Sequence, residues 1–193
     1  QTGTDGAVRR LWHGVQVQNM TSDIARSLGL DAPKGVLVER LHTDSPAWRA
    51  GLRLGDVILA VNGREVEDTG AFRFRVATSN TQQMRFLILQ RGQERQITFT
   101  PIPAPENPER DTHSFDRNSY FRGVSVANLS PAVHAEMGNP DRLDDGVVVV
   151  DIQGRSMLGL QVGDIILEVN NKPITNVRDL VRMNSQLNRQ GIV

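Results

Sequence analysis

Cysteine is absent from the sequence. Disulfides, thiolate nucleophiles and cysteine-ligated metals are therefore excluded from any function of this chain. Apolar runs of the roughly 20 residues that cross a bilayer are also absent, so we expect no membrane span. Lysine plus arginine total 22, as do aspartate plus glutamate, and this balance gives no general attraction to nucleic acid or to acidic membranes. No signal peptide is visible after Gln1, the first residue.

Motifs for catalysis are missing as well. Serine hydrolases hold a nucleophilic serine beside a base and an oxyanion hole, but the chain contains neither G-x-S-x-G nor G-N-S-G-G. Its four histidines are scattered, without the H-E-x-x-H spacing of a zinc site. Asp56 and Asp164 each follow a glycine within a repeated motif, which favours a turn or capping role over a catalytic one. We therefore predict no catalytic residue, no metal and no cofactor.

An internal repeat organises the sequence. Residues 55–66 read GDVILAVNGREV and residues 163–174 read GDIILEVNNKPI, with six of the twelve positions identical. Ordered matches of this kind predict two copies of one domain. Three upstream segments match in the same order, at offsets between 108 and 111 residues: 14–17 with 123–126, 21–24 with 130–133, and 35–38 with 146–149.

Domain boundaries follow from the repeat. Between the copies, PIPAPENPERDTHSFD at 101–116 holds four prolines, which favours an extended linker. By the 108-residue offset, Val193 matches Arg85, so we expect the second domain to lack its C-terminal hairpin. The predicted order is the end of a preceding linker at 1–8, a first domain at 9–101, a proline-rich linker at 102–116 and a second domain at 117–193.

Local patterns indicate an α+β, mainly β fold in each copy. Alternation of apolar and polar residues predicts half-buried strands, cap residues predict helix starts, and an Asn-Gly pair predicts a tight turn. Together these elements predict two partly closed β-barrels with short helices. The patterns are carried by Val15 and Val17 for a strand, Thr21 and Ser130 for helix caps, Phe72 and Val76 for a further helix, and Asn62-Gly63 for a turn.

These motifs resemble the PDZ domains that follow the catalytic domain in HtrA/DegP-type serine proteases. That family has a Φ-x-G-Φ loop, a small helix ending in Gly-Leu, a Gly-Val strand, and S-P-A-x-x-A-G-L followed by G-D-V-I-x-x-V-N-G. The second copy matches more loosely and has only QGRSMLGLQVGD where the first has HTDSPAWRAGLRLGD, so its middle helix is expected to be reduced to a turn. The first copy has WHGV at 12–15, SLGL at 27–30, GVLVERL at 35–41 and SPAWRAGLRLGDVILAVNG at 45–63.

The resemblance implies a peptide-binding groove in each copy. In PDZ domains a peptide adds as a strand, its terminal carboxylate meets backbone amides of the Φ-x-G-Φ loop, and a helix forms the opposite wall. The implied binding residues are Trp12, His13, Gly14, Val15, Val17, Phe72 and Val76 in the first copy, and Phe121, Arg122, Gly123, Val124 and Val126, with a wall around 180–184, in the second.

Several of these positions carry expectations of their own. His13 and Arg122 stand where the family more often has an apolar residue, and each either adds positive charge near the carboxylate or points to solvent. A bulky residue at Gly14 is expected to remove peptide binding while leaving folding largely intact, because glycine admits the ligand close to the backbone. Trp48 replaces a small residue and is expected to pack in the core rather than contact a neighbouring domain.

The resemblance implies a regulatory and peptide-binding module of a periplasmic serine protease, without the protease domain itself. Its implied partners are C-terminal or extended peptides of misfolded proteins, its own protease domain, and neighbouring subunits in an oligomer. Two alternatives remain open at the level of sequence. One is a stand-alone PDZ scaffold with no protease attached, and the other is a structural pair whose grooves are closed.

Overall fold

The structure, a computed structural model, divides into two compact units along the chain. One unit ends at Ala104 and the other begins at Pro105. Both are mainly β with a few short helices, which confirms the predicted fold class. Residues 102–116, the predicted linker, contribute a strand to each unit, and the predicted linker end at 1–8 lies outside the described residues. The structure describes residues 11–79, 82–139, 142, 145–154 and 157–190.

The first unit is built around one antiparallel sheet. Its elements in chain order are β1 (Leu11–Trp12), β2 (Val15–Asn19), α1 (Ser22–Ser27), β3 (Val36–Leu41), α2 (Pro46–Arg49), β4 (Val57–Val61), β5 (Arg64–Glu65), α3 (Thr69–Ala77), β6 (Met84–Gln90), β7 (Gln93–Phe99) and β8 (Ile102–Pro103). The sheet order is β2-β3-β4-β6-β7, with β5 paired to β4 and β1 paired separately to β8.

Two tight turns join neighbouring strands, and the sequence predicts the first of them. Asn62 and Gly63 have φ values of 50° and 79°, and this left-handed pair links β4 to β5. Arg91 and Gly92, at 53° and 78°, link β6 to β7 in the same way. The core between the sheet and α3 contains the fully buried side chains of Val36, Ile58, Phe72, Phe86 and Ile88.

Asp56 has the structural role that its motif predicts. Its carboxylate accepts hydrogen bonds from the Arg53 N–H at 2.8 Å and from Gln90 Nε2 at 2.7 Å. Burial raises the pKa of the Asp56 carboxyl, while these two hydrogen bonds lower it. In the second unit Asp164 accepts from the Gln161 N–H at 2.8 Å, so both copies use the aspartate to close the same turn.

The second unit repeats the opening part of the first. Its elements are β9 (His113–Ser114), β10 (Val124–Asn128), α4 (Pro131–Glu136), β11 (Val147–Ile152), β12 (Ile165–Ile166), β13 (Glu168–Val169), β14 (Lys172–Pro173) and α5 (Val177–Gln190). One sheet has the order β12-β11-β10-β9, and β13 pairs with β14. Ser130 caps α4 as Thr21 caps α1, which confirms both predicted helix starts.

A pair of equivalent leucines shows how the two units differ. Leu59 on β4 is 6% exposed, whereas Leu167 between β12 and β13 is 58% exposed. In the first unit β6 and β7 extend the sheet beyond β4, while within the described part of the second unit the sheet ends at β12.

Trp48 is half-buried and lies against the Arg53 guanidinium, 5.0 Å from the ring centroid, instead of packing fully in the core.

The loop between β1 and β2 packs tightly against the start of α2. Gly14 has a φ of 79°, and a Cβ built on it would lie 2.2 Å from the Cβ of Ser45. Ser45 is itself fixed, because its hydroxyl accepts from the Trp48 N–H and caps α2. The expectation that a bulky residue at Gly14 leaves folding intact is therefore wrong, since packing within the unit already requires glycine there.

We predict that Ile58→Asp unfolds the first unit. Ile58 has no exposed surface and pairs with Ile88 at the centre of the sheet, so an unpaired carboxylate there costs more than about 3 kcal/mol. Leu54→Asp is the control, because Leu54 is 64% exposed and the same change should alter stability by less than about 0.5 kcal/mol. Urea unfolding followed by circular dichroism measures both, and equal midpoints would contradict the core assignment.

We also predict that Gly14→Ala destabilises the first unit more than Gly63→Ala. Both glycines have a φ of 79°, but a Cβ at Gly63 meets nothing within 4 Å. Left-handed backbone costs an L-residue about 1–2 kcal/mol at either site, and the clash with Ser45 adds about 1–3 kcal/mol at Gly14 alone. Thermal unfolding of the two variants isolates the clash, and a Gly14→Ala chain as stable as Gly63→Ala would refute it.

Candidate functional site

In the predicted loop of the first unit, residues 12–15, the first two side chains are buried. Trp12 is 3% exposed and packs edge-on against His42. His13 is 2% exposed, and its ring lies edge-on to Phe72 and Phe86 at centroid distances of 5.7 and 6.4 Å. Both interpretations of His13 are therefore wrong: the ring points into the aromatic core, neither to solvent nor outward beside a carboxylate.

Within the described residues, short-range hydrogen bonds hold the backbone of this loop and leave one of its N–H groups without an acceptor. The Val15 N–H donates to Nδ1 of His13 at 3.1 Å, and the Gly14 carbonyl accepts from the His42 N–H. Across the described residues, the Gly14 N–H has no hydrogen-bond acceptor. The loop thus presents a backbone donor at the start of β2, where a PDZ domain binds a terminal carboxylate.

β2 forms an edge of its sheet. It pairs with β3 on one side, and no strand of the described chain pairs with its other side. Val15 and Val17 face the core at 1% and 9% exposure, while Gln16 and Gln18, which alternate with them, are half-buried. The outer edge of β2 therefore offers backbone groups to an added strand.

α3 packs against β2 and forms the opposite wall. Phe72 is fully buried beneath this wall, so it supports the helix without lining the accessible surface. Val76, one turn later, is half-buried and is the apolar side chain of the predicted pair that remains partly exposed. The Thr69 N–H at the start of α3 donates to Oδ1 of Asn19 at 2.8 Å, which ties the helix to the end of β2.

The second unit has an equivalent hydrogen bond between strand and helix. The Val177 N–H at the start of α5 donates to Oδ1 of Asn128, the last residue of β10, at 2.7 Å. Sequence analysis did not single out Asn19 and Asn128, although their shared offset of 109 residues is visible in the repeat. An asparagine at the end of a strand, about 50 residues before the helix that it contacts, is too common a pattern to indicate this contact alone.

In the predicted loop of the second unit, residues 121–124, the backbone N–H groups donate hydrogen bonds to carbonyls of the same unit. Arg122, Gly123 and Val124 donate from their N–H groups to the carbonyls of Ser119, Phe115 and Phe121, respectively. The Arg122 side chain is exposed and contacts the sulfur of Met157. In this conformation the loop donors are occupied by the chain itself.

In the second unit, the helix wall also forms side-chain hydrogen bonds with residues that precede the loop. Leu180 is fully buried, and Asn184 is 9% exposed. Oδ1 of Asn184 accepts from the Ser119 hydroxyl at 2.9 Å and from the Tyr120 N–H at 3.2 Å. At the equivalent position the first unit has Val76, so only the second unit fastens its loop to its helix in this way.

The described residues offer neither a metal centre nor a membrane-spanning element. They contain no group of three or more histidine, aspartate or glutamate side chains close enough to hold a metal ion. None of their helices combines the length and apolar character that crossing a bilayer requires.

Comparison with known proteins identifies a family model and several relatives that match this chain. The PDZ domain family model matches residues 37–90. A probable periplasmic serine endoprotease DegP-like of Marinomonas sp. (strain MWYL1) is 33% identical over 186 residues, covering 95% of this chain and 39% of the relative. A protein of the same description from Pseudomonas putida (strain GB-1) is 32% identical over 194 residues, covering 97% of this chain and 40% of the relative.

Among solved structures, an HtrA-type protease AlgW with decapeptide is 34% identical, covers 50% of this chain and 30% of its own, and superposes with a TM-score of 0.45. The chain spans about two fifths of the length of the curated relatives that it matches. It contains a PDZ domain and is homologous, over nearly its whole length, to part of proteins described as probable periplasmic serine endoproteases, DegP-like.

Proposed function

We propose that the first unit binds the C-terminus or an extended segment of another polypeptide as an added strand on β2. The observation that carries the proposal is the outer edge of β2, which begins at Gly14, lies beside α3 and is paired by no strand of the described residues. A strand added there would gain backbone hydrogen bonds along β2. Its terminal carboxylate would reach the Gly14 N–H.

Selectivity in this groove would come from the helix wall. The half-buried Val76 offers apolar surface to the last side chain of a bound peptide. Burying a valine- or leucine-sized side chain contributes about 1.5–3 kcal/mol, which amounts to roughly 10- to 100-fold in affinity. Unfolded proteins expose such apolar termini and segments, so they are the proposed partners.

For the parent protein, we propose a periplasmic serine protease in which this chain is the regulatory and substrate-binding part. The homology to proteins named as DegP-like endoproteases supports this, and it favours a protease module over a stand-alone scaffold. Contacts with a protease domain and with neighbouring subunits in an oligomer belong to the same proposal.

We predict that Val76→Glu weakens peptide binding at least tenfold. A carboxylate on the wall opposes both the apolar side chain and the terminal carboxylate of the peptide. The matched control is Phe74→Glu, because Phe74 lies on the same helix but is 60% exposed and points away from the core. Fluorescence polarisation with a pool of labelled heptapeptides ending in Val, Leu, Ile or Phe measures affinity, and thermal melts check that both variants fold.

Amidation of the same peptides tests whether the terminal carboxylate contacts the loop. Removing the terminal charge should also weaken binding to the unaltered chain about tenfold, because the loop donor then meets a neutral group. Saturable binding with an affinity that amidation does not change would place the ligand away from Gly14. An unaltered chain that binds none of the peptides would remove the proposal and favour the closed structural pair.

A further inference from the structure

The edge of β10 is occupied by the chain's own residues 109–115. β9 pairs antiparallel with β10, with Ser114 opposite Ser125 and His113 opposite Val126. Beyond these pairs, the Asn128 N–H donates to the Arg110 carbonyl at 2.7 Å, and the Phe115 N–H donates to the Val124 carbonyl at 2.9 Å. The segment therefore runs along β10 from end to end.

The direction of this segment is that of a PDZ ligand. Residue numbers rise toward the loop at 121–124, as they would in a peptide whose C-terminus enters that loop. At its end, the Phe115 carbonyl accepts from the Gly123 N–H at 3.1 Å. A carbonyl oxygen thus meets the loop amide that the resemblance assigns to a terminal carboxylate.

Phe115 fills the pocket between strand, loop and helix. It is 6% exposed and belongs to the same core cluster as Val124, Val126 and Leu180. Its ring centroid lies 5.2 Å from that of Phe121. The segment therefore supplies the apolar side chain that a bound peptide would bury with its last residue.

Polar contacts hold the rest of the segment in place. Arg110 forms ion pairs with Glu106 and with Glu136 on α4, both at 2.7 Å. Asp111 lies 3.5 Å from Arg178 on α5, and the hydroxyls of Ser114 and Ser125 are 2.8 Å apart. Side-chain contacts with α4, α5 and β10 thus accompany the backbone pairing.

The two edge strands, β10 and β2, differ in exposure in the way expected if the groove beside β10 is occupied and the groove beside β2 is open. Ser125 and Asn128 on β10 are 8% and 6% exposed. Their equivalents on β2, Gln16 and Asn19, are half-buried and exposed. The two units share one fold, so the covering segment accounts for the difference.

We infer that residues 109–115 are a built-in ligand of the second unit, with Phe115 in the place of a peptide's last residue. The inference rests on the proposed function of these grooves as peptide sites. It assigns the two units different roles: the first receives peptides from other proteins, and the second binds its own connecting segment. A peptide from outside reaches the second groove only when that segment leaves.

The test is to empty the groove and refill it with a separate peptide. Phe115→Ala removes the pocket side chain, and the probe is a fluorescein-labelled peptide of the chain's residues 109–115 with a free carboxylate. Both chains also carry Val76→Glu, which disables the proposed site of the first unit. We expect the Phe115→Ala chain to bind this peptide at least tenfold more tightly than the chain that retains Phe115.

Two controls separate pocket filling from general destabilisation. Phe74→Ala, made at a side chain that is 60% exposed, should leave peptide binding unchanged. A peptide of the same sequence that ends in alanine should bind the Phe115→Ala chain at least tenfold more weakly. If Phe115→Ala lowers the melting temperature or unfolds the second unit, millimolar peptide should restore it, because a ligand stabilises the state it binds.

Either of two results would overturn the inference. One is equal binding of the 109–115 peptide with and without Phe115. The other is a Phe115→Ala chain that neither binds the peptide nor recovers stability when it is added. Neither result depends on peptide binding by the first unit, so failure here is distinguishable from failure of the proposed function.

Discussion

An unpaired strand edge is the physical constraint on which both units depend. Backbone N–H and C=O groups along an edge need a hydrogen-bonding partner, and an open edge invites another strand to supply it. β2 and β10 occupy the same place in their sheets and meet this constraint differently. β10 is paired by a segment of its own chain, whereas β2 keeps one side open within the described residues.

The helix beside each edge is fixed before any ligand arrives. Asn19 and Asn128 use one side-chain oxygen each to accept from the first turn of α3 and α5. Such a bond satisfies an N–H that a helix cannot pair internally, and it also sets the distance between strand and helix. A wall positioned in this way loses little conformational freedom when a peptide binds, which favours affinity.

Features that depend on local sequence could be predicted, and those that depend on distant contacts could not. The repeat, the caps at Thr21 and Ser130 and the Asn62-Gly63 turn each follow from residues that are neighbours in the chain. The requirement for glycine at Gly14 comes from Ser45, and the burial of His13 comes from Phe72 and Phe86. No pattern near positions 13 and 14 contains that information.

The segment at 109–115 was hidden for a related reason. Its charges and the prolines that precede it favour a linker, and a strand of two residues, His113–Ser114, is too short to show alternation. Phe115 is the one large apolar residue in the stretch, and a single aromatic side chain does not identify its own pocket. Only the pairing with β10 distinguishes a bound segment from a spacer.

Tethering determines how strongly such a segment competes. A ligand joined by a short connection acts at an effective concentration of about a millimolar. If the 109–115 segment itself binds the empty second groove with a Kd of about a micromolar, its competition at that effective concentration weakens the apparent affinity of a peptide from outside roughly a thousandfold. The first groove has no such competitor among the described residues. Two grooves of one fold can therefore differ in availability by several orders of magnitude without any difference in their intrinsic affinity.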